Sequence, residues 1–259
     1  MVAQLVDTTA LVMPAKNQIE EFRRYEFKYI VRNSTAELIH QDVSEFLEPD
    51  PFLKQTSQES YLVRSLYFDN SASDYFYEKI DGLKTRRKYR LRTYSSNLLD
   101  AQMFFLEEKG KKNERTYKNR KWFDIADLDR FLADDSINWL IEEQSGDEFI
   151  DQYIYDSVRR QLRPTVVVEY QRRPLISNHD SYFRITFDSD LLSFPSNGLF
   201  LENERHIKCL PGYTIIELKF LRRIPLWFHR IIQSRELRRV SVSKFVVGMK
   251  AGELAADLS

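Results

Sequence analysis

A single cysteine, Cys209, stands in 259 residues, which leaves no disulfide framework within the chain and no multi-cysteine zinc site, and fits a reducing, cytoplasmic setting. The four histidines, His40, His179, His206 and His229, are scattered without the spacing of metal ligands. Seven glycines and eight prolines leave little room for linkers, and no glycine-rich phosphate loop of the P-loop or dinucleotide-binding type is present. Any phosphate must therefore be held by side chains. No apolar run approaches the ~20 residues that a membrane helix needs, so peripheral membrane association would require a separate membrane-protein partner. Net charge is absent as well: 39 basic and 39 acidic side chains cancel. That balance speaks against a nucleic-acid partner and requires any anion site to arise from local sorting of charge.

What is present is a chain 42% hydrophobic and 14% aromatic, enough for a sizeable core. Residues 1–20 lack the leading positive charges of a secretory signal and are expected to form a flexible tail, with 21–259 as one domain. From Arg24 to Val31 charged and apolar residues alternate, which places Arg24, Glu26 and Lys28 on one face of a strand. Ser34-Thr35-Ala36-Glu37 matches a capping box and predicts a helix from Thr35 to about Leu47. Further strands are expected at Tyr61–Phe68, Thr85–Tyr94, Met103–Lys109, Arg115–Lys121, Thr165–Arg172, Tyr182–Asp188 and Gly212–Phe220, with a turn over Gly110–Asn113. Helical periodicity from Ile125 to Arg163 predicts two helices, Pro225 opens another, and Ser243-Lys244 leads into a last one. About eight strands with helices outside suit a small closed antiparallel barrel of the α+β class.

Alternation alone is the ordinary signature of a sheet with one wet face. Two features point elsewhere. Arg86, Lys88, Arg90 and Arg92 share one face of one strand, and like charges so placed repel unless an anion lies among them. Arg86 and Lys88 fall nearer the strand end, where a solvated rim is the alternative reading. In addition, Glu26, Glu107 and Glu217 each precede a lysine by two residues, Lys28, Lys109 and Lys219. A string of phosphates needs cations along its length, and Mg²⁺ or Mn²⁺ takes one or two carboxylates beside phosphate oxygens. Glu26 and Glu217 suit that role, and Glu107 repeats the pattern.

The ordered segments Arg24-x-Glu26-x-Lys28-Tyr29, Ser65-Leu66-Tyr67-Phe68-Asp69-Asn70, Tyr89-Arg90-Leu91-Arg92-x-Tyr94, Phe105-x-Glu107-x-Lys109, Tyr170-x-Arg172, Arg184-Ile185-x-x-Asp188, Glu217-x-Lys219 and Ser243-Lys244-Phe245 resemble the polyphosphate-polymerase domain of the vacuolar transporter chaperone (VTC) family, among the triphosphate tunnel metalloenzymes. The resemblance implies an eight-stranded tunnel in which Lys28, Arg90, Arg92, Lys109, Lys118, Arg172 and Arg184 contact phosphates. It makes Tyr170 and Ser243 hydroxyl donors, puts Lys219 and Lys244 on the lining, and gives the metal to Glu217. Glu26 matches the strand-one acid of the hydrolytic tunnel enzymes, and Ser241 stands where eukaryotic polymerases carry a lysine. The implied reaction is transfer of the ATP γ-phosphate to polyphosphate or pyrophosphate with Mn²⁺ or Mg²⁺. Hydrolysis of a triphosphate in the same tunnel, and binding of polyphosphate without turnover, remain the alternatives.

Overall fold

The computed structural model describes residues 20–22, 25–56, 58–113, 115–180 and 182–256; the expected tail before Glu20, and Arg24, lie outside them. Among the described residues eleven strands form one antiparallel sheet. In chain order they are β1 (Glu20–Phe22), β2 (Tyr25–Arg32), β3 (Glu48–Pro49), β4 (Tyr61–Asp69), β5 (Thr85–Thr93), β6 (Met103–Lys112), β7 (Arg115–Asp124), β8 (Arg163–Ile176), β9 (Arg184–Pro195), β10 (Ile207–Lys208) and β11 (Tyr213–Phe220). Hydrogen bonding runs β1-β7-β6-β5-β4-β8-β9-β11-β2, with β3 on β8 and β10 on β9. Eight of these strands have eight residues or more, and β1, β3 and β10 have two or three. The expected eight strands are the long ones.

The expected closure takes a different form, because among the described residues no ladder joins the two ends of this path. The ends are consecutive in the chain instead. Phe22 in β1 and Tyr25 in β2 are three residues apart, a span of at most about 11 Å, so strands that pair with β7 and with β11 are tethered together. Side chains also cross the hollow: Lys109 on β6 reaches Glu26 on β2 at 3.0 Å, although these strands lie near opposite ends of the path. The sheet is curled into a tunnel by covalent connection and by ion pairs.

Two apolar layers hold the outside. Helices α1 (Asn33–Ser44) and α7 (Leu226–Ser234) cover β2, β9 and β11 with Ile39, Val43, Phe228 and Ile231 against Tyr29, Phe187, Ile216 and Leu218. A short α2 (Pro51–Thr56) follows β3, and α3 (Asp74–Ile80) follows β4. Where two helices were expected, a 3₁₀ turn (Ile125–Asp127) and three helices occur: α4 (Leu128–Leu132), α5 (Ser136–Gln144) and α6 (Glu148–Arg160). Ser145-Gly146 interrupts the periodicity, and Asp147 restarts it by accepting the N–H groups of Phe149 and Ile150.

Two local expectations fail for identifiable reasons. The capping box is unused: α1 starts earlier, at Asn33, whose N–H is satisfied by Gly212 O at 2.9 Å, while Glu37 pairs with Arg173. Gly110 is not in the turn but inside β6, opposite Tyr117. The outer end of the Tyr117 ring occupies the space where a Cβ would stand, so any larger residue would have to push that ring aside.

The last helix, α8 (Lys244–Ala251), lies on the concave side. Gly248 there packs so closely on β8 that a Cβ would come within 2.6 Å of Val168 Cγ2. Val168 shares its strand face with Tyr170 and Arg172, so α8 fills one end of the tunnel and presents its first turn to the charged remainder.

Candidate functional site: a basic tunnel with paired carboxylates

The strand faces expected to carry charge point inward. On β5, Arg90 donates to Glu107 Oε2 from Nε at 2.8 Å and to the Tyr67 hydroxyl at 2.9 Å. Arg92 donates to Ser65 Oγ at 3.1 Å and lies 3.6 Å from Glu107. Ser65 and Tyr67 of the Ser65–Asn70 segment therefore orient the two arginines. Asp69 of the same segment does structural work, accepting the N–H groups of Tyr75 and Phe76 to start α3.

The β6–β7 register places Glu107 opposite Arg120 and Lys109 opposite Lys118. Lys118 faces inward, with Nζ 2.8 Å from Glu107 Oε1, and Arg120 Nε lies 3.2 Å from the same oxygen. Glu107 is thus the common counter-ion of four cations. Its burial raises its pKa, but Arg92, Lys118, Arg90 and Arg120 more than offset this and hold it well below the usual carboxylate range.

A second cluster forms across β2, β11 and β9. Lys28 Nζ stands 3.1 Å from Glu26 Oε1 and 3.4 Å from Glu217 Oε1. Lys244, from the first turn of α8, reaches Asp188 at 2.6 Å and Glu217 at 2.9 Å, and its ammonium lies 4.7 Å from the Tyr170 ring centre. Arg172 grips Asp188 with both ends of its fork, at 2.6 and 2.7 Å. Lys219 is 3.8 Å from Glu217. Burial works to raise the pKa values of Glu26, Glu217 and Asp188, yet the surrounding lysines and Arg172 keep all three low.

Arg184 shares the inward face, opposite Lys219 in the β9–β11 ladder, but its guanidinium is drawn to the Asp50 carboxylate at 3.3 Å, and Arg24 lies outside the described residues. The other expected site residues share the concave face. Sequence reasoning quoted Tyr67 and Asp188 in their segments but gave them no role in the site, and it passed over Arg120. It also left Lys88 open between an inward position and a solvated rim, and Lys88 turns inward to Ser243 Oγ at 3.1 Å. Cys209 is buried against Ser193 Oγ, and burial pushes its thiol up, as fits a packed cysteine.

Among the described residues no group of three or more His, Cys, Asp or Glu side chains could hold a metal by itself. Two carboxylates do converge on the Lys28 ammonium, however, which marks a position where a cation meets both Glu26 and Glu217. These hard oxygen donors fit Mg²⁺ or Mn²⁺ taking its remaining ligands from phosphate and water. Glu107 fits less well, since both of its oxygens already face cations.

A curled antiparallel sheet whose hollow carries more arginine and lysine than acid defines a tunnel protein suited to a polyanion. Comparison with known proteins narrows this: the model of the VTC domain family matches residues 23–252, and the chain belongs to that family. No curated protein matches it. Similar solved structures include a candidate adenylate cyclase from Bacillus halodurans, 11% identical, covering 86% of this chain and 96% of that one, with a TM-score of 0.48. Another from Vibrio parahaemolyticus is 13% identical over 86% and 96%, with a TM-score of 0.39. A candidate adenylyl cyclase from Hippeastrum, described as having a dominant triphosphatase activity, is 14% identical over 88% and 97%, with a TM-score of 0.49. No helix among the described residues is long and apolar enough to cross a membrane.

Proposed function

We propose that this protein is a polyphosphate polymerase that transfers the γ-phosphoryl group of ATP to the end of an inorganic polyphosphate or pyrophosphate acceptor, releasing ADP. The observation that carries the reading is the concave surplus of cations: among the described residues Arg90, Arg92, Lys28, Lys109, Lys118, Arg172, Lys219 and Lys244 surround four carboxylates, Glu26, Glu107, Asp188 and Glu217. Such a surface neutralises a chain of phosphates along its length. Membership of the VTC family supports the same substrate class.

In the transfer, the bond from the γ-phosphorus to the β–γ bridging oxygen breaks as a bond to a terminal acceptor oxygen forms. The acceptor is already an oxyanion and needs no general base. The site agrees: its interior carboxylates are ion-paired and held low, which makes them poor proton acceptors. Arg90, Arg92 and Arg172, through the guanidinium N–H groups that their carboxylate partners do not take, hold donor and acceptor phosphates in line, and the fixed positive charge stabilises the equatorial oxygens. Glu217 and Glu26 would hold Mn²⁺ or Mg²⁺, which supplies further neutralisation at the transferring group. Arg184 extends the basic path, Tyr170 and Ser243 offer hydroxyl donors to phosphate oxygens, and Arg24, from the charge alternation of its sequence, is a further phosphate-binding candidate.

One observation favours a second reading, hydrolysis of triphosphate or a nucleoside triphosphate. Glu26 is only partly buried, with 27% of its side chain exposed, so water has access to it. The two readings separate by stoichiometry. A polymerase releases ADP faster when pyrophosphate or short polyphosphate is added, with little free phosphate, whereas a hydrolase releases phosphate in step with ADP or with consumed triphosphate.

Binding should also consume protons. Burial, with Arg172 and Arg184 nearby, pushes Lys219 down to about 7 despite Glu217 and Glu26, and an arriving polyanion favours its charged form. Affinity is therefore greatest below pH 7 and falls as pH rises above it. Calorimetry at pH 8 in buffers of different ionisation enthalpy should register net proton uptake on binding; uptake of zero would contradict this account of Lys219.

A further inference from the structure

The interior cations described above are each paired with an acid; Lys88 is not. Among the described residues its ammonium meets only the Ser243 hydroxyl, at 3.1 Å, and the ring faces of Tyr67 and Phe245, at 5.6 and 5.4 Å from their centres. Lys79, at the end of α3, is placed alike, donating to Ser241 Oγ at 2.9 Å. Between these serines, the Val242 carbonyl accepts from Lys28 at 3.2 Å. Three ammonium groups thus gather on residues 241–243, just where the chain enters α8.

This arrangement is unfavourable without a ligand. Burial, with Lys109, Arg90, Lys28 and Lys79 around it, holds Lys88 well below the ordinary lysine range. Ser243 adds to the imbalance. It precedes α8 in an extended conformation yet makes no capping hydrogen bond, because its hydroxyl is turned to Lys88. The first N–H groups of α8 are left without that cap and face the same end of the tunnel. Two lysines without carboxylates, two hydroxyls and an uncapped helix start match a group with more charge and more free oxygens than an internal phosphate. An internal phosphate of a chain carries one negative charge and two peripheral oxygens; a terminal one carries up to two charges and three oxygens.

Resting on the proposed phosphate function of the tunnel, we infer that Lys79 and Lys88, with Ser241 and Ser243, form the seat of a terminal phosphate group. The tunnel on this account reads chain ends: a linear phosphate meets α8 end-on, and a chain without ends lacks the group that the seat takes.

Linear tripolyphosphate and cyclic trimetaphosphate differ in this respect, since the ring has no terminal phosphate. Their binding is to be measured by calorimetry on the full chain, for the wild type, Lys79→Met, Lys88→Met, the double variant, Lys88→Arg and Arg92→Met. The double variant is expected to bind tripolyphosphate about tenfold or more weakly, with trimetaphosphate affinity changed by no more than about twofold, through loss of charge-assisted contacts at the chain end alone. Each single methionine variant gives part of the loss, Lys88→Arg retains most of the affinity, and Arg92→Met weakens both ligands. Equal weakening of both ligands by the double variant, or no weakening of tripolyphosphate, would overturn the inference. Failure of the wild type to bind either ligand would instead overturn the phosphate reading of the tunnel, on which the inference stands.

Discussion

Replacing Glu107 by Gln should lower the melting temperature by about 10 °C. Glu107 is buried to 1% exposure among Arg90, Arg92, Lys118 and Arg120, and removing one side of a buried ion cluster typically costs about 3–5 kcal/mol because the remaining charges stay buried and unneutralised. For a domain of this size each kcal/mol is worth about 2–4 °C. The sign of the pH dependence follows from the same contacts. The folded-state pKa lies below the ordinary value of 4.5, so the stabilisation is fully present above 4.5 and is lost as pH falls below it toward the folded value. Added polyphosphate should recover more of the lost melting temperature in Glu107→Gln than it adds to the wild type, because it supplies the missing negative charge. A variant that melts within a degree or two of the wild type would show that the four cations do not depend on Glu107.

Glu217→Gln should separate binding from turnover. Glu217 neutralises Lys28, Lys244, Lys219 and Arg172 in part, so its removal makes the tunnel more basic and leaves polyphosphate affinity equal or higher. Loss of the carboxylate expected to hold the metal should at the same time lower kcat in Mn²⁺ by about 10³-fold, the scale of several kcal/mol of charge stabilisation at the transferring group. A loss in affinity with kcat preserved would assign Glu217 to substrate positioning instead.

The strands and their inward faces were legible because strand periodicity is two: Arg90 and Arg92, or Glu217 and Lys219, must share a side whatever their neighbours do. The partners of those residues were not legible. Glu26 meets Lys109, 83 residues away, across the hollow, and no local pattern encodes that pairing. Lys118 depended on a hairpin register set by a turn at the end of β6, where Asn113 takes φ 56°, rather than at Gly110. The same difficulty hid the role of Glu107. Its i+2 lysine made it look like Glu26 and Glu217, while its four contacts come from β5 and β7. Lys88 stayed open between tunnel and rim from its place near a strand end, because α8, which folds back on it, is distant in sequence.

The most direct test of the central claim is the product of the purified full chain with ATP and Mn²⁺, with and without pyrophosphate or a short polyphosphate primer. Products are resolved by gel, ADP and free phosphate are assayed in parallel, and Glu217→Gln serves as control. The account predicts a ladder of polyphosphate that lengthens with time, ADP matching the phosphate incorporated, and no ladder from the variant. Free phosphate without chains, or polyphosphate binding with no turnover at all, would contradict it.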